Sequence, residues 1–417
     1  MTRPNPPSHV KPRVGHWLPA HHHIEAWVAG LAGEAAAKRR VKFHPVIEEF
    51  RALIEGDPIV RMYLERMIAE VPRSKPYKVH HLRNVEQMLL LINEVLTLAP
   101  EFDTTALVAA PLNAILDWSM GTPAGFAAFR LPAINAMIKK ILTAWCEFLS
   151  GPKSLYVLNA SPTGWKSAAA RAAMAMDDFE LDPKDRYWGF ASWNDFFTRR
   201  FRPGVRPIAE PENHKVIVNA CESTPYKIAT RVRKTDRFWL KSQPYSLGDM
   251  LAGDEAAEAF EGGTIYQAFL SAFNYHRWHS PVTGTIRKAF VVPGTYYSEL
   301  EAEGEDPAGP DNSQGYITHV AARAVVLIDC DDPAIGLVGF VAVGMAEISS
   351  CLIGAGIAPG RRIAKGEELG YFQYGGSTHC LIFRPGVIAR FAPGTRPAAK
   401  NPHAPAVKLG ARLATAR

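Results

Sequence analysis

The sequence predicts an α+β protein, an N-terminal helical domain followed by a β-rich domain. Three observations carry that prediction. Apolar residues recur three and four positions apart from Phe43 to about Ser150, the period of an amphipathic helix. From Val216 onward the texture changes to short runs of Val, Ile, Tyr and Phe separated by Gly, Pro and Asp, the pattern of strands and turns. The chain has 417 residues, 47% hydrophobic and 21% charged, which fits two globular domains and excludes a mostly disordered chain.

In chain order, residues 1–42 read as a loosely ordered lead-in, with four prolines in the first dozen positions and the triplet His21-His22-His23. Three consecutive histidines cannot all face one metal from a regular element, so no metal site is assigned. Residues 43–150 form the helical domain. "HPVIEEFRALIEG" repeats the helical period, "DPIVRMYLERMIAEV" opens on an Asp-Pro start signal, and "NVEQMLLLINEVLTL" continues it. Pro111 and Pro123 fall in interruptions between such segments. Residues 151–185 read as a connector with a short helix. Residues 186–417 form the β-rich domain, with strands such as "RAVVLIDC", "GLVGFVAVG" and "CLIFRPG" and an inserted helical stretch "YSLGDMLAGDEAAEAF".

The bulk properties exclude several classes. A net charge of +6, with the basic residues spread rather than clustered, does not suggest nucleic acid. Five cysteines without any CxxC pair indicate neither a zinc site nor a disulfide framework, and suit a cytoplasmic protein. The N-terminus has no apolar core of a secretory signal. The longest apolar region, residues 334–360, contains Glu347 and many glycines, which suits buried strands better than a membrane span, so no stable membrane anchor is expected. The sequence specifies no oligomeric state.

Three segments hold residues able to do chemistry. "YFQYGGSTHCLIF", Tyr371 to Phe383, places two glycines, a serine and a threonine between apolar runs. That pattern reads as a hairpin turn. It also leaves an open peptide bond before Ser377, because Gly376 lacks a Cβ, so a deprotonated Ser377 Oγ can attack the Gly376 carbonyl and turn an amide into an ester. "NYHRWHSPVTGTI" sets His276 and His279 three apart, which on a helical turn would share one face and suit proton transfer. The alternative is two histidines at a strand start beside Trp278. "NACESTPYKI" ends an apolar run at Glu222, a carboxylate able to orient an imidazole, or equally a solvated turn residue.

These segments carry a resemblance. "GYFQYGGSTHCLIF" resembles the self-cleavage segment of the phosphatidylserine decarboxylase family, including the preceding "KGEELGYF" from Lys365 to Phe372. "NYHRWHSPVTGTI" is similar to that family's Tyr-His-x-x-His-Pro-x-x-Gly segment, "FFTRRFRPGVRPI" (Phe196 to Ile208) to its entry segment, and "VKLGARLAT" to its closing strand. All four occur in family order. The resemblance implies a phosphatidylserine decarboxylase-like catalytic domain that cleaves itself between Gly376 and Ser377. In it Ser377 is the nucleophile and pyruvoyl precursor, His279 the base for self-cleavage, and Glu222 the carboxylate that orients His279. The cofactor implied is a pyruvoyl group derived from Ser377 at the start of a small C-terminal chain, with no pyridoxal phosphate. The pyruvoyl ketone would condense with a substrate amine as a Schiff base, and His276 would be the proton donor after carbon dioxide leaves. One departure stands: the family usually has aspartate in a Pro-x-Asp-Gly setting, here Ala220-Cys221-Glu222-Ser223.

For the substrate, the helical segment "FHPVIEEFRALIEGDPIVRMYLERM", "GMAEISSC" and "RYWGF" (Arg186 to Phe190) resemble the family's soluble branch, which includes a fungal L-tryptophan decarboxylase. The resemblance implies decarboxylation of an aromatic L-amino acid, tryptophan to tryptamine and carbon dioxide, with phosphatidylserine as the alternative substrate. A pyridoxal enzyme is set aside because His214-Lys215 opens a predicted strand in a chain without the long α/β pattern. A lipoyl-type carrier barrel is set aside because no Met-Lys pair is present.

Overall fold

The structure is a computed structural model describing residues 21–38, 41–73, 82–103, 110–240, 243–271, 273–301, 313–347, 350–398 and 404–417. The proline-rich first twenty residues lie outside the described residues.

The first half is helical: α1 (His21–Ala37), α2 (Pro45–Gly56), α3 (Pro58–Ala69), α4 (Val85–Val95), α5 (Pro111–Met120), α6 (Pro123–Ala128) and α7 (Pro132–Leu149). Capping chemistry sets the boundaries. Asp57 ends α2 and caps α3, its carboxylate accepting from the Ile59 and Val60 N–H groups with Pro58 at the first helical position. Pro111, Pro123 and Pro132 each open a helix, where a missing N–H costs nothing, so they start elements as well as interrupt them. The expected loose lead-in is corrected by α1: its alanine-rich sequence favours a helix, and Val28, Leu31 and Ala35 are buried.

The expected connector is likewise packed. It carries a 3-10 turn (Pro152–Val157) and α8 (Ala168–Met174). Leu155, Trp165, Met176 and Phe179 join the same apolar core as the helices, and so do Trp193, Phe196 and Phe197 of α9 (Trp193–Phe197). Tyr275, Tyr297 and Tyr374 reach into that core from the second half. Aromatic area is what couples the two halves.

The second half is β-rich: β1 (Val216–Val218), β2 (Thr224–Thr230), β3 (Thr264–Leu270), β4 (Arg277–His279), β5 (Gly284–Val292), β6 (Arg323–Cys330), β7 (Leu337–Ala346), β8 (Ser350–Ile353), β9 (Arg362–Ile363), β10 (Glu368–Gln373), β11 (Gly376–Phe383), β12 (Ile388–Phe391) and β13 (Arg412–Ala416). Helices α10 (Leu247–Met250), α11 (Ala257–Phe260) and α12 (Gln314–Val320) are inserted. A seven-stranded sheet runs β2-β3-β11-β7-β6-β5-β9, beside three-stranded sheets β4-β10-β8 and β1-β13-β12.

Strand β11 lies inside the large sheet, antiparallel to β3 and β7. Its alternate residues feed two cores. Leu381 and Phe383 pack with Tyr266, Trp278, Phe340 and Phe372. Cys380 and Ile382 pack with Tyr316, Ile317, Val343 and Met345. Among the described residues no helix is long and apolar enough to cross a membrane.

Candidate active site

Ser377 stands second in β11, opposite Leu270 of β3 and Gly344 of β7. The expected hairpin is absent. Strand β10 pairs with β4 and β8 whereas β11 pairs with β3 and β7, so Tyr374 and Gly375 carry the chain from one sheet to the other. Gly375 makes the crossing with φ 128°, a conformation that side chains rarely adopt. The register with β7 slips between Gly376 and Ser377. Ser377 is fully buried, and its Oγ has no hydrogen-bond partner among the described residues. An unpartnered buried hydroxyl on an irregular peptide fits a residue kept for reaction rather than for packing.

His276 comes just before β4. Its carbonyl accepts from the Phe372 N–H at 3.0 Å, and its ring stacks on Phe197 at 4.0 Å. Phe197 meets the Tyr374 ring edge-on at 5.0 Å, so His276 belongs to the wall leading to the Gly375 crossing. Neither ring nitrogen has a partner among the described residues. Burial first, and the nearby Arg199 guanidinium second, push its pKa well below the usual histidine value, so the ring is neutral. Arg199 is itself buried. It donates to the Phe273 carbonyl at 2.8 Å, which anchors the loop that carries His276.

His279 lies on β4, an extended segment, so the expected shared helical face does not form. Strand alternation sends Trp278 into the core against Phe340 and Phe372 and turns Arg277 and His279 to the opposite face of β4. The Nδ1 of His279 lies 2.8 Å from the Gly366 carbonyl, which can only accept, so Nδ1 carries the proton. Its Nε2 then accepts the Tyr275 hydroxyl at 3.0 Å. Burial lowers its pKa, against the Gly366 hydrogen bond.

Glu222 does not touch His279. Its carboxylate accepts from Arg206 Nη2 at 2.8 Å, from Arg206 Nε at 3.2 Å and from the Leu409 N–H at 2.7 Å. Arg206 also reaches Asp178 at 2.9 Å. The predicted Glu222–His279 bond is corrected on physical grounds: a charged, forked guanidinium holds a carboxylate more strongly than a neutral imidazole does.

Sequence reasoning missed two residues. His379 is buried two positions after Ser377 on the same strand face, with both ring nitrogens unpartnered among the described residues and its pKa pushed down to about 3 by burial. The period of two in "GSTHCLIF" was its signal. Glu347 follows Ala346, the register partner of Gly376. It was visible as a lone charge in an apolar run.

Of two cavities among the described residues, neither is lined by Ser377, His276 or His279. A cleft of about 510 Å³ between the halves is lined by Phe126, Arg130, Phe238, Trp239, Leu300 and Tyr316. A much smaller one lies inward, against Asn113, Tyr297, Glu299, Ile317 and Met345.

A helical half followed by a β-rich half with a buried serine at a sheet-to-sheet crossing is the frame in which the family likeness is to be placed. Two family models described as phosphatidylserine decarboxylase match residues 44–174 and 193–414. The chain belongs to the phosphatidylserine decarboxylase family and is a decarboxylase, a carboxy-lyase. Among its relatives, decarboxylase iboD of Amanita muscaria is 40% identical over 67% of this chain and 85% of its own length. The L-tryptophan decarboxylases of Psilocybe cubensis and Psilocybe cyanescens are 35% and 33% identical, over 81% and 91% of this chain and 80% and 91% of their own lengths. A phosphatidylserine decarboxylase proenzyme of Schizosaccharomyces pombe is 31% identical over 48% of this chain.

Proposed function

We propose that this chain is a self-processing, pyruvoyl-dependent decarboxylase of an aromatic L-amino acid, converting L-tryptophan to tryptamine and carbon dioxide in the cytoplasm. The observation that carries the processing step is Ser377: buried, unpartnered among the described residues, and preceded by the positive-φ Gly375. Its Oγ attacks the Gly376 carbonyl, and cleavage leaves a 41-residue C-terminal chain, residues 377–417 of the 417. The pyruvoyl group so formed supplies an electron sink for the pair left when carbon dioxide departs.

The chain's own residues handle protons and position. His279 takes the Ser377 proton, as the family likeness implies, through the Nε2 lone pair that Tyr275 holds in the present conformation. Glu222 acts at a distance, fixing Arg206 and the Leu409 backbone rather than the imidazole. His276, neutral and braced on Phe197, delivers the proton to the α-carbon.

The aromatic substrate is supported by the relatives named for L-tryptophan, which match both halves of the chain. It is supported also by the cleft lined by Phe126, Phe238, Trp239 and Tyr316, which holds Arg130 and Glu301 as its charged residues. Five free thiols support the reducing compartment.

The deciding experiment is product analysis with tryptophan, phenylalanine, tyrosine and phosphatidylserine, run beside the intact mass of the purified protein. Two chains and tryptamine are expected. Turnover of the phospholipid alone would replace the substrate proposed, and an active single chain would refute the processing. His279→Ala is expected to remain one chain; cleavage in that variant would move the base to His276 or His379.

A further inference from the structure

Glu347 occupies an unusual place. It follows directly on the residue that pairs with Gly376. Its backbone sits in the left-handed region at φ 60°, which is strained for a side chain without an amide. Strain of this kind persists where the surroundings over-determine it, and it gathers at functional sites.

The side chain is buried and spans both halves of the molecule. One oxygen accepts from the Asn113 N–H at 2.7 Å, in the first turn of α5, whose Ala110 cap offers no side chain. The other accepts the Tyr297 hydroxyl at 2.7 Å. Asn113 and Tyr297 line the inner cavity together with Met345 and Glu299. The Leu112 backbone also reaches the carboxylate, which still leaves acceptor capacity on it. The titratable groups facing Glu347 are Tyr297 and Tyr374, with Glu299 on the cavity wall. Among the described residues no lysine, arginine or histidine pairs with it.

We propose that Glu347 is a further catalytic residue, the carboxylate that takes the proton from the substrate's α-ammonium group beside the carbonyl formed from Ser377. This rests on the pyruvoyl reading above and deepens it. An amino acid arrives as an ammonium ion, and only the neutral amine attacks a carbonyl. The N–H bond breaks and an O–H bond forms on Glu347. The freed lone pair attacks the carbonyl carbon, and the proton held on Glu347 returns to the carbonyl oxygen. A second proton moves from the nitrogen to that oxygen, which leaves as water as the C=N bond forms. Glu347 ends ionised, as it began, and no other reactant is consumed.

The environment suits this role. Burial raises the Glu347 carboxyl to about 7, against the hydrogen bonds from Tyr297, Asn113 and Leu112. A group with that value exchanges protons readily near neutral pH. A purely structural cap on α5 needs only an acceptor oxygen, which an amide supplies equally well. Charge is needed only for the proton.

The test is Glu347→Gln in the full-length protein, read three ways. Intact mass reports self-cleavage, thermal unfolding reports the fold, and covalent capture of tryptamine by cyanoborohydride reports amine attack without turnover. The variant is expected to cleave and fold like the wild type, while capture at pH 7 slows by about a hundredfold or more. The rise of wild-type capture through about pH 7 should vanish. A second variant, Tyr297→Phe, keeps the carboxylate but removes one donor, so that rise should move to higher pH. Equal capture rates and an unmoved profile in both variants would overturn the inference alone. A wild-type protein that captures no amine overturns the pyruvoyl reading and this inference together.

Discussion

Two buried carboxylates, Glu222 and Glu347, meet different partners, and the difference separates holding from reacting. Glu222 faces a full positive charge on Arg206, which Asp178 shares. Among the described residues Glu347 faces neutral donors, the Tyr297 hydroxyl and the backbone of Asn113 and Leu112. A carboxylate forked onto a guanidinium fixes geometry. One satisfied by neutral donors keeps its place yet titrates near neutrality, as the raised Glu347 value shows.

The Glu222 region also explains how a cut chain would stay together. Leu409, whose N–H Glu222 accepts, belongs to residues 377–417, and so do β12, β13 and the interior strand β11. Seven residues of β11, Ser377 to Phe383, stay paired between β3 and β7. Cleavage before Ser377 therefore frees a chain end without freeing the chain.

The largest expected effect tests the reacting region at its centre. Ser377→Ala should leave a single chain with turnover at background, since the proposed reading makes the serine both nucleophile and cofactor source. Activity in that variant, measured as tryptamine formed by protein of verified mass, would remove Ser377 from the chemistry.

Next comes pH. His276 is held well below the usual histidine value and His319 and His379 are held at about 3, all chiefly by burial. Unfolded histidine titrates near 6.5, so the unfolded chain binds protons that the fold refuses. Stability is complete above about pH 6.5 and is lost as pH falls toward 3, by several kcal/mol. Glu347 works the other way. Its raised pKa favours the fold at low pH, and that contribution is lost as pH rises through about 7. Three histidines outweigh one carboxylate, so urea midpoints should drop between pH 7.5 and 5. A midpoint unchanged over that range would mean that these imidazoles are protonated in the fold.

Removing the holding carboxylate should cost less. Glu222→Ala strips Arg206 of its main partner and leaves the Leu409 N–H unsatisfied. Breaking a buried pair typically costs about 3–5 kcal/mol, and here the lower end applies because Asp178 keeps one guanidinium bond. Glu347→Gln, by contrast, keeps one acceptor for the Asn113 N–H and presents an NH2 group that can donate to the Tyr297 hydroxyl oxygen, so the urea midpoint at pH 7 should fall less. Equal losses in the two variants would erase the distinction between them.

How much of this was legible in the sequence varies by range of interaction. The helix-then-strand order was readable because it depends on local period, and α3 even announces its start with Asp57-Pro58. Residues 375 and 376 misled, because a glycine pair signals a bend but not which strands pair beyond it, and β10 and β11 find partners far away in sequence. His276 and His279 misled similarly: a spacing of three shares a face on a helix and splits faces on a strand. Glu222 found Arg206, sixteen positions earlier, a choice set by charge strength that spacing does not encode. Glu347 stood in plain view, but its meaning needed Gly376 opposite its neighbour.

A third carboxylate calibrates the other two and carries the smallest expected effect. Asp57 lies at the surface of the helical half, where one oxygen accepts from Ile59 at 2.8 Å and Val60 at 3.2 Å. Its partners are neutral, like those of Glu347, but water replaces a lost acceptor there at little cost. Asp57→Ala should remove only the cap, about 1 kcal/mol. Because α3 packs against α6, which leads to α7 and the shared aromatic core, the loss should appear in the global unfolding midpoint while chain cleavage and amine capture stay as in the wild type. A variant that lost cleavage as well would show that the helical half controls the geometry at Ser377, and would merge the two regions that the carboxylates divide.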